Sequence, residues 1–187
     1  MSHVAKQRVF SVGFLFVSLA LGLAVCLNFA PITNGAAAPG PAPEMERLQK
    51  FYLGTWEYTE TYGTGAVNTG VYTSELGPGG NSLINRFHSQ GPVGDFEGLL
   101  VMTWDPREKA YKSYIFGNDF PGALVTTGNF EGDALVFRGV IETPKAKMQI
   151  RNRSSIDERG IMKSEEFVAK PGNPEALLVT VNAKRKP

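Results

Sequence analysis

The chain has 187 residues, with 19 basic and 18 acidic residues and a net charge of +1. This length allows one domain with a substantial core. The basic residues are scattered except for Lys184, Arg185 and Lys186 at the terminus, so the sequence lacks the concentrated positive charge that nucleic-acid binding requires. Nucleic-acid binding is therefore excluded as a function class.

The first 43 residues contain no acidic residue and differ in composition from the rest of the chain. Lys6 and Arg8 precede an uncharged run, Val9 to Leu27, which is typical of a signal peptide or a membrane anchor. We expect residues 1–30 to direct export and residues 31–43 to form a Pro/Ala-rich linker. The apolar run exceeds a usual signal-peptide core of roughly 7 to 15 residues and approaches the ~20 residues that span a bilayer, so cleavage and retention both stay open.

Cys26, the only cysteine, ends the apolar run at the position of a bacterial lipoprotein processing site. Val25 stands where that site has a small residue, so we favour an unmodified thiol over lipidation. No cysteine follows, and the folded domain therefore has neither a disulfide nor thiolate chemistry. Because the basic flank holds the N-terminus in the cytoplasm, we expect the domain to be periplasmic or secreted, either free or anchored to the inner membrane.

A short amphipathic segment, Met45 to Tyr52, leads into a Leu-Gly-Thr-Trp turn, Leu53 to Trp56, that opens the first predicted strand. Strand patterns and turn residues then alternate at short spacing, with no long helical pattern between them. Ten strands are predicted, at residues 54–62, 66–76, 82–89, 95–104, 110–117, 123–131, 134–142, 147–156, 161–169 and 175–184.

Such short links favour antiparallel pairing between neighbouring strands, and closure of the sheet removes its exposed edges. Residues 44–187 are therefore predicted to form a single all-β domain, an up-and-down antiparallel β-barrel of about ten strands. A two-sheet sandwich is the alternative. Barrels of this size commonly enclose a cavity, which makes ligand binding the leading functional hypothesis.

From Glu44 to Lys186 the chain resembles the bacterial domain of unknown function 1579 family, which has a lipocalin-like, calycin-type barrel. The resemblance rests on short motifs in a fixed order, in which Trp104 replaces an expected Tyr. It implies a fold and brings no catalytic residues, because the activity of that family is undefined. The motifs are Leu53 to Trp56, Phe96-Glu97-Gly98 with Trp104-Asp105-Pro106, Lys109-Ala110-Tyr111 with Asn118-Asp119, Thr127 to Phe130, and Leu135 to Gly139.

Alternation of side chains along each strand predicts which residues face the interior. Related barrels turn the Gly-x-Trp tryptophan inward at the closed end, which makes Gly54 and Trp56 the expected barrel floor and puts Tyr58 and Glu60 inside as well. In the fourth strand, the inward set is expected to be Phe96, Gly98, Leu100, Met102 and Trp104. Trp56 and Trp104 then meet at the same end.

The candidate ligand-binding residues follow from this parity. Tyr58, Leu100, Met102 and Trp104 are candidates for the cavity wall, although Trp104 also fits the floor. Arg86 and His88 are the candidate polar anchors for an acidic head group, provided that they point inward. Parity does not decide this, because neither face of the third strand is clearly apolar, and a solvated outer position is the competing interpretation.

The other polar residues are weaker candidates for a ligand-binding or catalytic site. Arg151 and Arg153 are expected to face outward, and Tyr111 and Tyr114 lie on opposite faces. The adjacent pair Glu165 and Glu166 also divides between the two faces, so these carboxylates do not act together on one substrate.

An enzyme is a weaker hypothesis, because His3 and His88 are the only histidines and His3 lies in the leader. This rules out a histidine metal cluster and leaves a single haem ligand at His88 as a minor alternative. We expect no metal site and no catalytic residues, and no cofactor is identified. The sequence therefore predicts an exported barrel that holds a hydrophobic or amphipathic molecule non-covalently, with a periplasmic interaction or scaffold protein whose barrel is filled as the alternative.

Overall fold

The computed structural model describes residues 40–143 and 146–187, which form one short α-helix, a single 3-10 turn at Pro78–Gly80 and ten strands. The expected leader, the linker up to residue 39 and Cys26 lie outside the described residues. Within the described ranges, no helix is long and apolar enough to cross a membrane. The elements are α1 (Pro43–Tyr52), β1 (Gly54–Tyr62), β2 (Val67–Leu76), β3 (Ser82–Gln90), β4 (Phe96–Asp105), β5 (Ala110–Gly117), β6 (Leu124–Glu131), β7 (Ala134–Thr143), β8 (Ala146–Ile156), β9 (Ile161–Ala169) and β10 (Ala176–Arg185).

The ten strands form a closed barrel in which every strand pairs with its sequence neighbours and β1 also pairs with β10. All pairings are antiparallel, and the closing pair runs in register from Trp56 opposite Arg185 to Tyr62 opposite Val179. Because closure leaves no free edge, each backbone ladder is satisfied within the domain. The predicted ten-stranded up-and-down barrel is confirmed, and the sandwich alternative is wrong.

Helix α1 covers one end of the barrel. Its apolar residues Met45, Leu48, Phe51 and Tyr52 recur at helical spacing and are all buried, while Glu46 and Lys50 face solvent. Pro43 begins the helix with a preset backbone angle, and Glu44 and Glu46 place negative charge in its first turn, where the helix dipole favours it. The helix thus presents one apolar face to the barrel end.

Hydrogen bonds fix the helix to the strands beneath it. Trp56 Nε1 donates to the Tyr52 carbonyl oxygen at 2.8 Å, and the Tyr111 hydroxyl donates to the Glu44 carbonyl oxygen at 2.7 Å. Both bonds satisfy polar groups that would otherwise be unpaired among apolar side chains. Arg47 adds a stacking contact over Phe130, with the guanidinium carbon 3.8 Å from the ring centroid.

The Gly-x-Trp turn connects the helix to the barrel. Gly54 has φ +112°, a conformation that side-chain-bearing residues rarely adopt, so glycine is required at the start of β1. Trp56 then lies against this end of the barrel, 1% exposed, with its ring stacked on Tyr72 at a centroid distance of 5.8 Å. The Arg185 guanidinium covers the Trp56 ring at 4.5 Å.

We predict that Leu48→Ala lowers the free energy of unfolding by about 2–5 kcal/mol, because Leu48 is completely buried between α1 and the strands. Glu46→Ala, on the exposed face of the same helix, is the control and is expected to change it by less than about 0.5 kcal/mol. Urea denaturation of both variants measures the difference. Equal stability of the two variants would show that the helix does not hold the closed end together.

Candidate functional site

The interior of the barrel is filled at the α1 end and accessible at the other end. Leu83, Met102 and Leu135 face inward near α1 and are 0% exposed. Farther from α1 the inward positions are mixed. Ser89 and Phe137 are buried, whereas other inward residues keep partial exposure although strands on both sides are hydrogen-bonded to them. Solvent reaches this second group through the lumen; it includes Glu60, Phe87, Phe96, Leu100, Ile115, Ser164, Glu166 and Val181.

Glycines let two aromatic rings lie flat against the wall of this lumen. A Cβ on Gly98 would come within 2.2 Å of the Phe87 ring, and one on Gly117 within 2.8 Å of the Phe96 ring. The rings of Phe87 and Phe96 also contact each other, with centroids 5.3 Å apart. The rings therefore occupy the space that side chains on these two glycines would take.

Glu60 is the centre of a polar group on the lumen side of β1. Its Oε2 accepts a hydrogen bond from Ser89 Oγ at 3.0 Å and one from the Tyr62 hydroxyl at 3.1 Å. Burial and the neighbouring Glu60 charge together raise the pKa of the Tyr62 hydroxyl to about 12. Burial, with a further contribution from Glu60, also raises the pKa of Tyr58, so both phenols stay protonated at neutral pH.

Glu166 faces the same lumen from β9. The closing register brings the carboxyl groups of Glu60 and Glu166 towards each other. Val179 on β10 lies between Tyr62 of β1 and Glu166 of β9. Glu60 is the next inward residue of β1 after Tyr62. Burial, and then the charge of Glu60, raise the pKa of the Glu166 carboxyl to about 7. Among the described residues, no hydrogen-bond donor and no cation contacts this carboxyl group, so the ionised form has nothing to stabilise it.

Other buried polar groups line the interior between the two ends. Ser74 Oγ and Asn85 Oδ1 face inward on paired positions of β2 and β3, and neither has a hydrogen-bond partner among the described residues. Across the barrel, Ser154 Oγ and Ser164 Oγ lie 2.7 Å apart. A sealed apolar core does not normally contain unpaired polar atoms, whereas an interior that admits water or a polar ligand can satisfy them.

The loop between β3 and β4 covers part of the open end. Asn68 on β2 is 1% exposed, and its side chain holds this loop by donating to the Gly94 carbonyl oxygen at 3.0 Å and accepting from the Val93 amide at 3.2 Å. The Asn68 side chain therefore fixes this loop to the start of β2 at the end of the barrel opposite α1.

The predicted wall residues do not all reach the accessible part of the lumen. Leu100 does, whereas Met102 is 0% exposed within the filled end. Tyr58 faces inward but is buried, with its ring against Gly70. Trp104 packs on Tyr111 near α1, with centroids 5.0 Å apart, and so lies at the same end as Trp56.

Arg86 and His88 lie on the outer face, which corrects the inward position considered for them. The buried face of β3 is Leu83, Asn85 and Ser89, with Phe87 partly buried on the same side, so the alternate residues point to solvent. The Arg86 side chain is 68% exposed and near Glu75. His88 borders a shallow outer hollow of about 580 Å³ that also includes Glu57, Val71 and Lys184. Neither residue can hold the head group of a ligand in the lumen, and His88 cannot ligate a haem there.

The remaining polar residues are placed on the faces that alternation predicts. Arg151 lies outside, in a bidentate pair with Glu175, and Arg153 is exposed on the same face. Tyr111 is buried and Tyr114 exposed. Glu165 faces out and pairs with Lys163 at 2.6 Å, so only Glu166 of the adjacent acids is inside. Within residues 40–143 and 146–187, no three His, Cys, Asp or Glu side chains are arranged to hold a metal ion.

Sequence reasoning missed the partnership of Glu60 with Glu166. Glu60 was expected inside, and Glu166 was expected to be on one face or the other, but the register that brings β1 and β9 to either side of β10 is not visible in the sequence. The available signal was that alternation placed Glu60, an acid, inside the barrel with no basic residue opposite it. Asn85 was missed because the third strand gave no clear apolar face, and Asn68 because no inward face was assigned to the second strand.

Comparisons with known proteins support the fold and go no further. No family model matches the chain, and no curated protein matches it. Among solved structures, the crystal structure of Rv2717c from M. tuberculosis has a TM-score of 0.53 at 15% identity and covers 79% of this chain and 99% of that chain. At that identity the likeness concerns the barrel fold alone.

Two further structures are similar at lower TM-scores. The structure of EF1p2_mFAP2b bound to DFHBI has a TM-score of 0.44 and 12% identity, covering 76% of this chain and 99% of that one. A de novo designed fluorescence-activating β-barrel has a TM-score of 0.37 and 14% identity, covering 75% of this chain and 98% of that one.

We predict that the free energy of unfolding falls as the pH rises from 5 to 8, and that the titration of Glu166 causes this fall. A carboxyl whose pKa is about 7 when folded and near 4.5 when unfolded keeps a proton in the native state that the unfolded chain releases, so stability is lost as pH rises through this window. The contribution of Glu166 is about 2 kcal/mol. Urea denaturation at both pH values is expected to show this loss in the wild type and its removal in Glu166→Gln.

The matched control is Glu165→Gln, the adjacent acid on the outer face of β9. It is expected to retain the pH dependence of the wild type. If Glu166→Gln shows the same fall in stability as Glu165→Gln, the interior carboxyl does not titrate in this range.

Proposed function

We propose that the domain is a binding protein that holds one amphipathic small molecule inside the barrel, entered from the end opposite α1. The observation that carries this proposal is the change in burial along the strands. Met102 is 0% exposed, whereas Leu100, one inward step farther from α1 on the same strand, is partly exposed. A barrel that served only as a scaffold would be filled at both levels.

The lining of the accessible part suits an amphipathic molecule. Phe87, Phe96, Leu100 and Ile115 form an apolar wall on β3, β4 and β5, while Glu60 and Glu166 provide polar groups from β1 and β9. A mainly apolar pocket with a few convergent polar groups is the usual form of a small-molecule site. Burial of an alkyl chain contributes about 0.8 kcal/mol per CH₂ group, and the polar groups fix its orientation.

An interaction protein is the second candidate, and an apolar patch on the outer face favours it. Tyr114 lies opposite Val101 and Val125, and Phe116, Val125 and Val140 are each more than 40% exposed on neighbouring strands. Contiguous apolar surface of this kind is a common feature of protein interfaces. The patch and the lumen lie on opposite faces of the same strands, so the two candidates can be separated by substitution.

We also propose that the domain is exported and that it belongs to the domain of unknown function 1579 family. Export is supported by the basic flank and apolar run of residues 1–30, and the family by the ordered motifs from Leu53 to Gly139. Fusion of residues 1–43 to alkaline phosphatase tests export: activity in intact cells supports it, and inactive fusion protein in the cytoplasm contradicts it.

The binding proposal is tested with Nile red, a neutral apolar dye whose fluorescence rises in apolar surroundings. We predict saturable binding of one dye molecule per barrel. Leu100→Trp places a larger side chain in the accessible lumen and is expected to weaken binding at least about tenfold, equivalent to 1.4 kcal/mol. Circular dichroism checks that the variant remains folded.

Leu99→Trp is the matched control, since Leu99 is the neighbouring residue on the outer face of β4. It is expected to leave Nile red binding unchanged. Loss of binding in Leu99→Trp together with normal binding in Leu100→Trp would contradict the lumen proposal and place the dye on the outer apolar patch.

A further inference from the structure

We propose that the ligand of the lumen carries a protonated amine, which Glu60 and Glu166 bind from opposite sides while its apolar part lies on the wall formed by Phe87, Phe96 and Leu100. This inference rests on the proposed binding function and specifies the chemical class of the ligand. The sequence offered Arg86 and His88 as anchors for an acidic head group only if both pointed inward, and their outward position removes that basis.

The charge of the lumen has one sign. Glu60 and Glu166 are the ionisable acids that face each other across β10, with the phenols of Tyr58 and Tyr62 beside Glu60, and Asp119 near Tyr62 at the open end. The facing positions on the neighbouring strands are the uncharged Asn68, Ser89, Val179 and Val181.

No basic side chain on the described strand residues faces this part of the lumen. Lysine, arginine and histidine residues of the described strands alternate to the outer face, except Arg185, which covers Trp56 at the closed end. A ligand carboxylate would meet two carboxyl groups and no cation there, which is strongly unfavourable in a poorly hydrated interior. A cationic group meets the complementary charge.

The interior also contains hydrogen-bonding capacity that the protein leaves unused. Glu60 already accepts two hydrogen bonds, whereas Glu166 has no partner among the described residues. Asn85 is 3% exposed and faces the interior with its Oδ1 unpaired in the described part of the chain. An ammonium group has three N–H donors and no acceptor, and each unpaired interior atom, including the hydroxyl oxygen of Ser74, can accept a hydrogen bond from it.

A divalent cation fits the same residues less well. Calcium takes six to eight oxygen ligands, but within the described residues no group of three or more acidic, histidine or cysteine side chains converges. Two carboxylates and a hydroxyl beside an apolar wall instead match an ammonium head group with an alkyl or aryl tail.

The experiment measures displacement of Nile red by three molecules of equal chain length, namely decylamine, decanol and decanoate, each below its aggregation concentration. At pH 8 we expect decylamine to bind at least about tenfold more tightly than decanol, and decanoate to bind more weakly than decanol. Lowering the pH to 5.5 protonates Glu166 and is expected to reduce the affinity for decylamine while leaving decanol unaffected.

Glu166→Gln separates this inference from the underlying binding proposal. In this variant the ratio of decylamine affinity to decanol affinity at pH 8 is expected to fall about tenfold, and the pH dependence of that ratio is expected to disappear. Glu165→Gln on the outer face is expected to behave as the wild type. Normal dye binding with no preference for decylamine, or with a preference for decanoate, overturns the amine assignment alone. Absence of dye binding in the wild type overturns the binding proposal as well.

Discussion

The pairing of β1 with β10 is the constraint on which the rest of the structure depends. It joins the first strand to the last, from Trp56 opposite Arg185 to Tyr62 opposite Val179, and so converts a long meander into a closed wall. Closure satisfies both edges of the sheet and gives each strand one interior and one exterior face. It also brings Glu60 and Glu166, far apart in sequence, to either side of β10.

The two ends of the barrel have different physical roles. At the α1 end, buried aromatic and aliphatic side chains pack together around Trp56 and Leu48, and this packing stabilises a domain whose described residues contain no disulfide. At the other end, the Glu166 carboxyl has no partner among the described residues, so its ionisation costs stability, and the rings of Phe87 and Phe96 lie over glycines. Such a division between a rigid support and a locally destabilised site is common in binding proteins.

The sequence predicted the architecture closely and the site only in part. Every strand boundary lies within one residue of its predicted position, because glycine- and proline-containing turns mark the ends clearly. Alternation placed Glu60 and Leu100 inside correctly, since β1 and β4 each have one predominantly apolar face. It could not resolve β3, where Asn85 and Ser89 face inward and Ile84 faces outward beside Arg86. The approach of Glu166 to Glu60 depends on closure, which local patterns do not encode.

The most direct test of this account is the ¹³C NMR titration of the Glu166 side-chain carboxyl, in the empty protein and after saturation with decylamine, with Glu166→Gln to assign the resonance. The account predicts a pKa of about 7 in the empty protein and a clear fall when the amine is bound, because the ammonium group stabilises the ionised carboxylate. A titration midpoint near that of an ordinary glutamate in the empty protein, or one that the amine does not move, would contradict a lumen built around an interior acid.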